Sequence, residues 1–135
     1  MTFSDYAHLR NRPHVQPHGC WLIVAQALSE VHGVDLPADW GADLADDDLR
    51  GRALLLHEHL ARHGVEVEAP RAGDVAAFAR HGRPVHVGLV VAPGWVLQST
   101  STIGAAHFVR LADLRRQYGS VTFHRPLQLA EIEPA

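Results

Sequence analysis

The spacing of apolar residues changes near Gly64 and divides the chain into a helical part and a β-rich part. Residues 20–32 are apolar on nearly all sides, which is typical of a central buried helix, and Gly33 suits its C-terminal cap. The acidic run 46–48 indicates the start of a second helix, which is predicted to end before Gly64. Its apolar positions recur at three- and four-residue steps, at Leu49, Ala53, Leu56 and Leu60.

Beyond Gly64 the apolar residues alternate with polar ones or form short runs, as they do in β-strands. Pro93-Gly94 is typical of a tight turn and predicts a hairpin of residues 85–91 with residues 95–98. Two helical turns are predicted over residues 111–118. Further strands are predicted at 65–68, 75–79, 108–110 and 121–125. Helices followed by strands predict an α+β fold with an antiparallel sheet.

The 135 residues suffice for one domain with its own core, and we expect a single domain over residues 1–135. We expect residues 1–19 to form an irregular polar arm. The formal net charge of −3 gives no electrostatic footprint for nucleic acid, so no nucleic-acid partner is expected. The start of the chain lacks the pattern of a signal peptide, and the longest apolar run is too short for a bilayer. No membrane insertion is therefore expected.

Cys20 is the only cysteine of the chain, and it stands at the predicted start of the first helix. It follows a loop that contains Pro17 and Gly19, which end any earlier helix. The N–H groups and the dipole at a helix start favour thiolate over thiol. His86, on a predicted strand, is the candidate base for such a nucleophile. The alternative is a buried cysteine that packs as a small hydrophobic side chain.

Several short motifs follow one another over about residues 13–126. They are Gly19-Cys20-Trp21-Leu22-Ile23-Val24, then Gly33-Val34-Asp35-Leu36-Pro37, Gly73-Asp74-Val75, His86-Val87-Gly88-Leu89-Val90, Trp95-Val96-Leu97-Gln98 and the stretch 111–126. Their order resembles the NlpC-type cell-wall cysteine peptidases, most closely those of phage and prophage tails. The resemblance implies a papain-like fold, in which a central N-terminal helix packs on an antiparallel sheet.

The resemblance implies Cys20 as nucleophile, His86 as base and Gln98 as the residue that orients the imidazole. A neutral amide accepts a hydrogen bond from the imidazole N–H, but it stabilises an imidazolium less than a carboxylate does. The backbone N–H of Cys20 would donate to the oxyanion. The further candidates for substrate or oxyanion contacts are His14, His18 and Trp21.

The chain departs from the family pattern at two positions. Gly19 stands where the family usually has Asp, and His14 takes the place of the usual Tyr before the nucleophile. These departures favour an alternative in which the protein is a weakly active or inactive structural component of a phage tail tip. A further alternative is an amidase or acyltransferase that uses the same Cys–His pair.

The function that the resemblance implies is hydrolysis of an amide bond in the stem peptides of peptidoglycan. The protein would act as part of a phage or prophage tail, made in the host cytoplasm and active at the cell envelope. Other tail-tip proteins would be its partners, and the reaction would need no cofactor.

The remaining histidines offer weaker candidates for chemistry. His59 and His63 are four residues apart, a workable spacing for two metal ligands. The surrounding residues His57 and Glu58 do not complete a His-Glu-x-x-His motif, so a solvated helix face is favoured and no metal is expected. His107 is a fallback for the third catalytic position, on a segment predicted to lie at the surface.

Overall fold

An antiparallel six-stranded sheet organises the molecule. The computed structural model describes residues 3–15, 19–36 and 58–132. The α-helices that are described from end to end are α1 (Gly19–His32), α2 (Leu111–Gln117) and α3 (Leu127–Ile132). The strands are β1 (Gly64–Val67), β2 (Val75–Arg80), β3 (Arg83–Ala92), β4 (Trp95–Ser99), β5 (Ala106–Arg110) and β6 (Ser120–Pro126). The strand order is β1-β6-β2-β3-β4-β5, and every neighbouring pair is antiparallel. The predicted α+β fold with an antiparallel sheet is confirmed.

Helix α1 begins and ends where the sequence predicts. Gly33 adopts a left-handed φ of 66°, a conformation that glycine adopts at little cost. The N–H groups of Gly33 and Val34 donate to the carbonyls of Ser29 and Leu28, at 3.1 and 3.0 Å. These two bonds satisfy carbonyls of the last turn and close the helix.

Residues 3–9 do not form the irregular polar arm that we expected over residues 1–19. Phe3–Leu9 form a 3-10 helix, in which residues three apart share one face. Tyr6 and Leu9 are fully buried on that face, and Phe3 packs against the same core cluster. The Tyr6 hydroxyl also shares a 2.6 Å hydrogen bond with His32 Nε2. The prediction was wrong over these residues because Phe3, Tyr6 and Leu9 recur at every third position and so share one face of a 3-10 helix.

The sheet carries apolar clusters on both faces, because side chains alternate along each strand. In β2, Val75 and Ala77 belong to a cluster that also contains the buried residues of α1. Ala76 and Phe78 belong to a second cluster, which α2 covers through Leu114. We call these the α1 face and the α2 face.

The structure does not describe residues 37–57, which include most of the second predicted helix. Residues 58–63 are helical and β1 begins at Gly64, so its predicted end is confirmed. Helix α3 was not predicted. No helix among the described ranges combines the length and the apolar character needed to cross a bilayer.

Candidate active site

Cys20 is the second residue of α1 and is partly exposed, as its proposed role requires. Trp21 follows it and is 0% exposed, within the core of the α1 face. Successive helical residues are rotated by about 100°, so a partly exposed residue can precede one that points into the core. The expectation that Trp21 contacts substrate is therefore corrected: it is a core residue.

His86 lies in β3 and is 8% exposed. It pairs with Phe78 of β2. The rings of Phe78 and His86 have centroids 5.9 Å apart, and Tyr118 stacks on His86 at 5.6 Å with 8° between the planes. The guanidinium of Arg80 lies over the Tyr118 ring, 4.9 Å from its centroid. These contacts hold the imidazole in one orientation.

A chain of hydrogen bonds joins His86 to two further residues. His86 Nε2 and Gln98 Oε1 are 2.8 Å apart, so the structure brings the predicted base and its predicted orienting residue together. Gln98 Nε2 lies 3.0 Å from His107 Nε2, and His107 Nδ1 lies 2.9 Å from the carbonyl oxygen of Ala105. Gln98 is 5% exposed, so both ends of its amide are satisfied inside the protein.

His107 is part of this chain, although we expected it at the surface. It is half-buried and stands directly opposite Gln98 in the β4–β5 pairing. The separation of nine residues around the loop at residues 100–105 could have indicated this register. Tyr118 was missed altogether, because no local pattern relates the end of α2 to a strand.

Burial and two neighbouring histidines lower the pKa of His86. Burial lowers the pKa of His86 below its ordinary value, and the hydrogen bond that His86 donates to the Gln98 amide oxygen opposes that shift. His107 and His14 lower the pKa of His86 further, because a second positive charge nearby would be unfavourable. The imidazole is therefore held in its neutral form, which can accept a proton near neutral pH.

His14 lies beside the start of α1. Its Nδ1 shares a 2.6 Å hydrogen bond with Ser99 Oγ, and its backbone N–H donates to the carbonyl of Gly104 at 2.9 Å. A Cβ at Gly19 would come within 2.5 Å of His14 Nδ1, so a side chain there would overlap the ring. The family's Asp at position 19 is incompatible with this placement of His14. Burial lowers the pKa of His14.

Cys20 acts electrostatically on Tyr118, whose ring stacks on His86. Burial raises the pKa of the Tyr118 hydroxyl, Arg80 opposes that shift, and Cys20 raises the pKa further. The thiol is thus within electrostatic range of the ring that stacks on His86. A direct contact between Cys20 Sγ and a His86 ring nitrogen stays a prediction.

The other candidate residues do not join this site. His18 and His57 lie outside the described residues. Within the described part of the chain, no three His, Cys, Asp or Glu side chains are grouped as metal ligands. His59 and His63 are instead near His124, around a small cavity on another part of the sheet.

A half-open cavity of about 230 Å³ lies beside the start of α1. Its walls include Gly19, Ser99 and Ala106, the direct neighbours of Cys20, Gln98 and His107. Arg12 is fixed in the wall by hydrogen bonds to Gln26 Oε1 and to both carboxylate oxygens of Glu30. The remaining lining residues are Pro13, Val15, Leu22, Ile23 and Gln26.

Comparison of the chain with models of known protein families and with curated protein sequences finds no match.

Proposed function

We propose that the protein is a papain-like cysteine peptidase that hydrolyses amide bonds in peptidoglycan stem peptides, as part of a phage or prophage tail. The observation that carries the proposal is the buried His86–Gln98 hydrogen bond together with a cysteine at the start of α1. Both were expected from motifs far apart in the sequence. The substrate class, the tail location and the tail-tip partners rest on the resemblance of the motifs described above.

In the proposed reaction, His86 accepts the Cys20 thiol proton as the sulfur attacks the carbonyl carbon of the scissile amide. The backbone N–H of Cys20 donates to the oxyanion that forms. The imidazolium then gives its proton to the leaving amine, and a thioester to Cys20 remains. Water attacks that thioester with His86 again as base, which releases the acid and restores the thiol.

Burial lowers the pKa of His86, which favours the neutral imidazole that can accept the Cys20 proton. Gln98 orients the imidazole but brings no negative charge, so it does not reverse this preference. Deprotonation of Cys20 is therefore coupled to its attack on the carbonyl. The cavity beside Gly19 offers room for a residue of the peptide adjacent to the scissile bond.

A second candidate function is that of an inactive structural protein with the same fold. The environment of His86 favours it, because its ring is buried near Phe78 and stacked on Tyr118, as a histidine that only packs in the core would be. In that case the hydrogen bonds of Gln98 would only satisfy polar groups buried between strands. An amidase or acyltransferase that uses the same pair would differ in its acceptor and not in its nucleophile.

Cys20→Ala distinguishes these functions. The peptidase proposal predicts that this variant loses all cleavage of purified peptidoglycan fragments, measured by mass spectrometry of the released peptides. Alanine is a good helix former, so the variant should keep its fold and unfold within about 1 kcal/mol of the wild type. The structural alternative predicts no cleavage by the wild type. A cross-linked peptide product instead of a hydrolysed one would indicate acyl transfer.

Alkylation of the single cysteine gives a second test. Because His86 accepts the thiol proton as the sulfur attacks, iodoacetamide should label Cys20 faster than a model thiol at pH 6, and His86→Ala should slow the reaction about tenfold or more. His124→Ala is the matched control, since it removes a histidine of the same sheet and should leave the rate unchanged. Equal rates for the wild type and His86→Ala would contradict the proposed pair.

A further inference from the structure

The orientation of the His86 proton depends on a residue outside the expected triad. We infer that His107 is a positioning residue: acting through Gln98, it selects the His86 tautomer with the proton on Nε2 and the lone pair on Nδ1. The inference gives the proposed peptidase reaction its base nitrogen, and in that respect it rests on the proposed function.

The donor and acceptor of each hydrogen bond in the series His86–Gln98–His107 follow from its last acceptor, the Ala105 carbonyl. The Ala105 carbonyl can only accept, so His107 Nδ1 carries the proton of their 2.9 Å bond. In the neutral ring, His107 Nε2 is then an acceptor, and the atom 3.0 Å away must be the donating amide nitrogen of Gln98. Gln98 therefore turns its oxygen to His86, whose Nε2 donates across 2.8 Å. This leaves Nδ1 of His86 as the basic nitrogen.

Backbone contacts fix the position of Ala105, whose carbonyl is the last acceptor in this series of hydrogen bonds. Ala105 forms a β-bridge with Pro13, and Ala106 exchanges hydrogen bonds with Asn11 and Arg12 at 2.9 and 2.8 Å. His107 and Gln98 are direct partners in the β4–β5 register. Because the Ala105 carbonyl cannot turn away without breaking these contacts, the tautomer of His107 is set by the main chain.

Loss of the acceptor at position 107 would release the Gln98 amide. A flipped amide would present its nitrogen to His86 Nε2, which would then have to accept and would leave the proton on Nδ1. That tautomer has no lone pair on Nδ1 for the thiol proton. A bulky apolar residue at position 107 should therefore impair the base without touching it.

The test measures the tautomer directly. In protein labelled with 15N-histidine, long-range 1H–15N correlation spectra at pH 7.5 should show His86 protonated on Nε2. His107→Phe should convert His86 to the other tautomer or to a mixture, and should slow iodoacetamide labelling of Cys20 about tenfold or more. His107→Gln places an amide oxygen near the lost nitrogen and should restore both readouts. His124→Gln is the matched control and should change neither.

Two outcomes overturn the inference. One is a wild-type His86 with its proton on Nδ1. This measurement needs no variant, so it can contradict the inference even if His107→Phe fails to fold. The other is a folded His107→Phe variant whose His86 tautomer is unchanged. The tautomer is measured without substrate, so the two hypotheses can fail separately. The inference about His107 can be wrong while Cys20→Ala still abolishes cleavage, and it can be right in a protein that cleaves nothing.

Discussion

Gly19 and the His14 ring lie next to each other at the start of α1, so the residue type at either position restricts the other. The His14 ring lies where a side chain at position 19 would be, and it is held there by Ser99. Gly19 is not in the left-handed region of backbone conformation, so the need for glycine at this position comes from the neighbouring ring. The residue type at position 19 and the placement of the His14 ring therefore depend on each other.

This coupling predicts a non-additive double-mutant cycle. Gly19→Ala should displace the His14 ring and destabilise the protein by at least about 1 kcal/mol, through the lost bond to Ser99. In a His14→Ala background the same change should be neutral or should stabilise by up to about 1 kcal/mol, since alanine favours helix. Urea unfolding of the four proteins measures the cycle. Additive free energies would show that the two residues do not compete.

At the scale of elements, a buried ion pair joins the start of β2 to the end of β6. Asp74 is fully buried and accepts from Arg125 Nε and Nη2, each at 2.9 Å. Its carboxylate also accepts the backbone N–H of Arg71, while its main-chain carbonyl accepts the N–H of Val90 in β3. One residue thus ties three strands together at the end of the sheet.

Asp74→Asn should therefore destabilise the protein by about 3–5 kcal/mol, because it leaves the Arg125 charge buried without its carboxylate. The matched control is Asp113→Asn, which breaks the exposed ion pair with Arg116 in α2. That change should cost about 0–1 kcal/mol, since solvent screens the pair. Chemical denaturation measures both. Similar losses for the two variants would mean that Asp74 contributes no more than a surface pair.

Across the whole molecule, burial lowers the pKa of several histidines. His86, His32 and His14 share this direction and this largest cause. A histidine with a lowered native pKa binds its proton more weakly when folded than when unfolded. Its contribution to stability is complete above the unfolded value, about 6.5, and is lost as the pH falls toward the native value.

The protein should therefore lose stability progressively below about pH 6.5. The urea midpoint should be lower at pH 5.5 than at pH 7.5, and His86→Gln should reduce that difference by removing one of the buried groups. Gln117→Ala, at an exposed position of α2 with no titratable group, is the control and should leave the difference unchanged. A midpoint that is constant over this range, or that rises on acidification, would contradict the assignment.

The sequence alone determined the regular elements and their order. Helix α1, the β3–β4 hairpin and the strands of the sheet follow from periodicity and turn residues, because these signals depend on neighbours a few positions away. The same local signals located Cys20 at a helix start. Motif order added the pairing of His86 with Gln98, which the β-sheet realises as a hydrogen bond. The 3-10 helix and α3 were missed, since short helices carry a weak periodic signal.

Tertiary structure decided what surrounds the candidate site. His107, Tyr118 and the contact of His14 with Gly19 bring together residues that are far apart in the chain. Their placement follows from strand register and from the packing of α2 on the sheet, which no window of the sequence contains. Trp21 shows the same limit at a single position, because the face of a helix that enters the core depends on what packs against it. Local sequence patterns identify the candidate reactive residues, whereas long-range packing determines which residues surround them and shifts their pKa values.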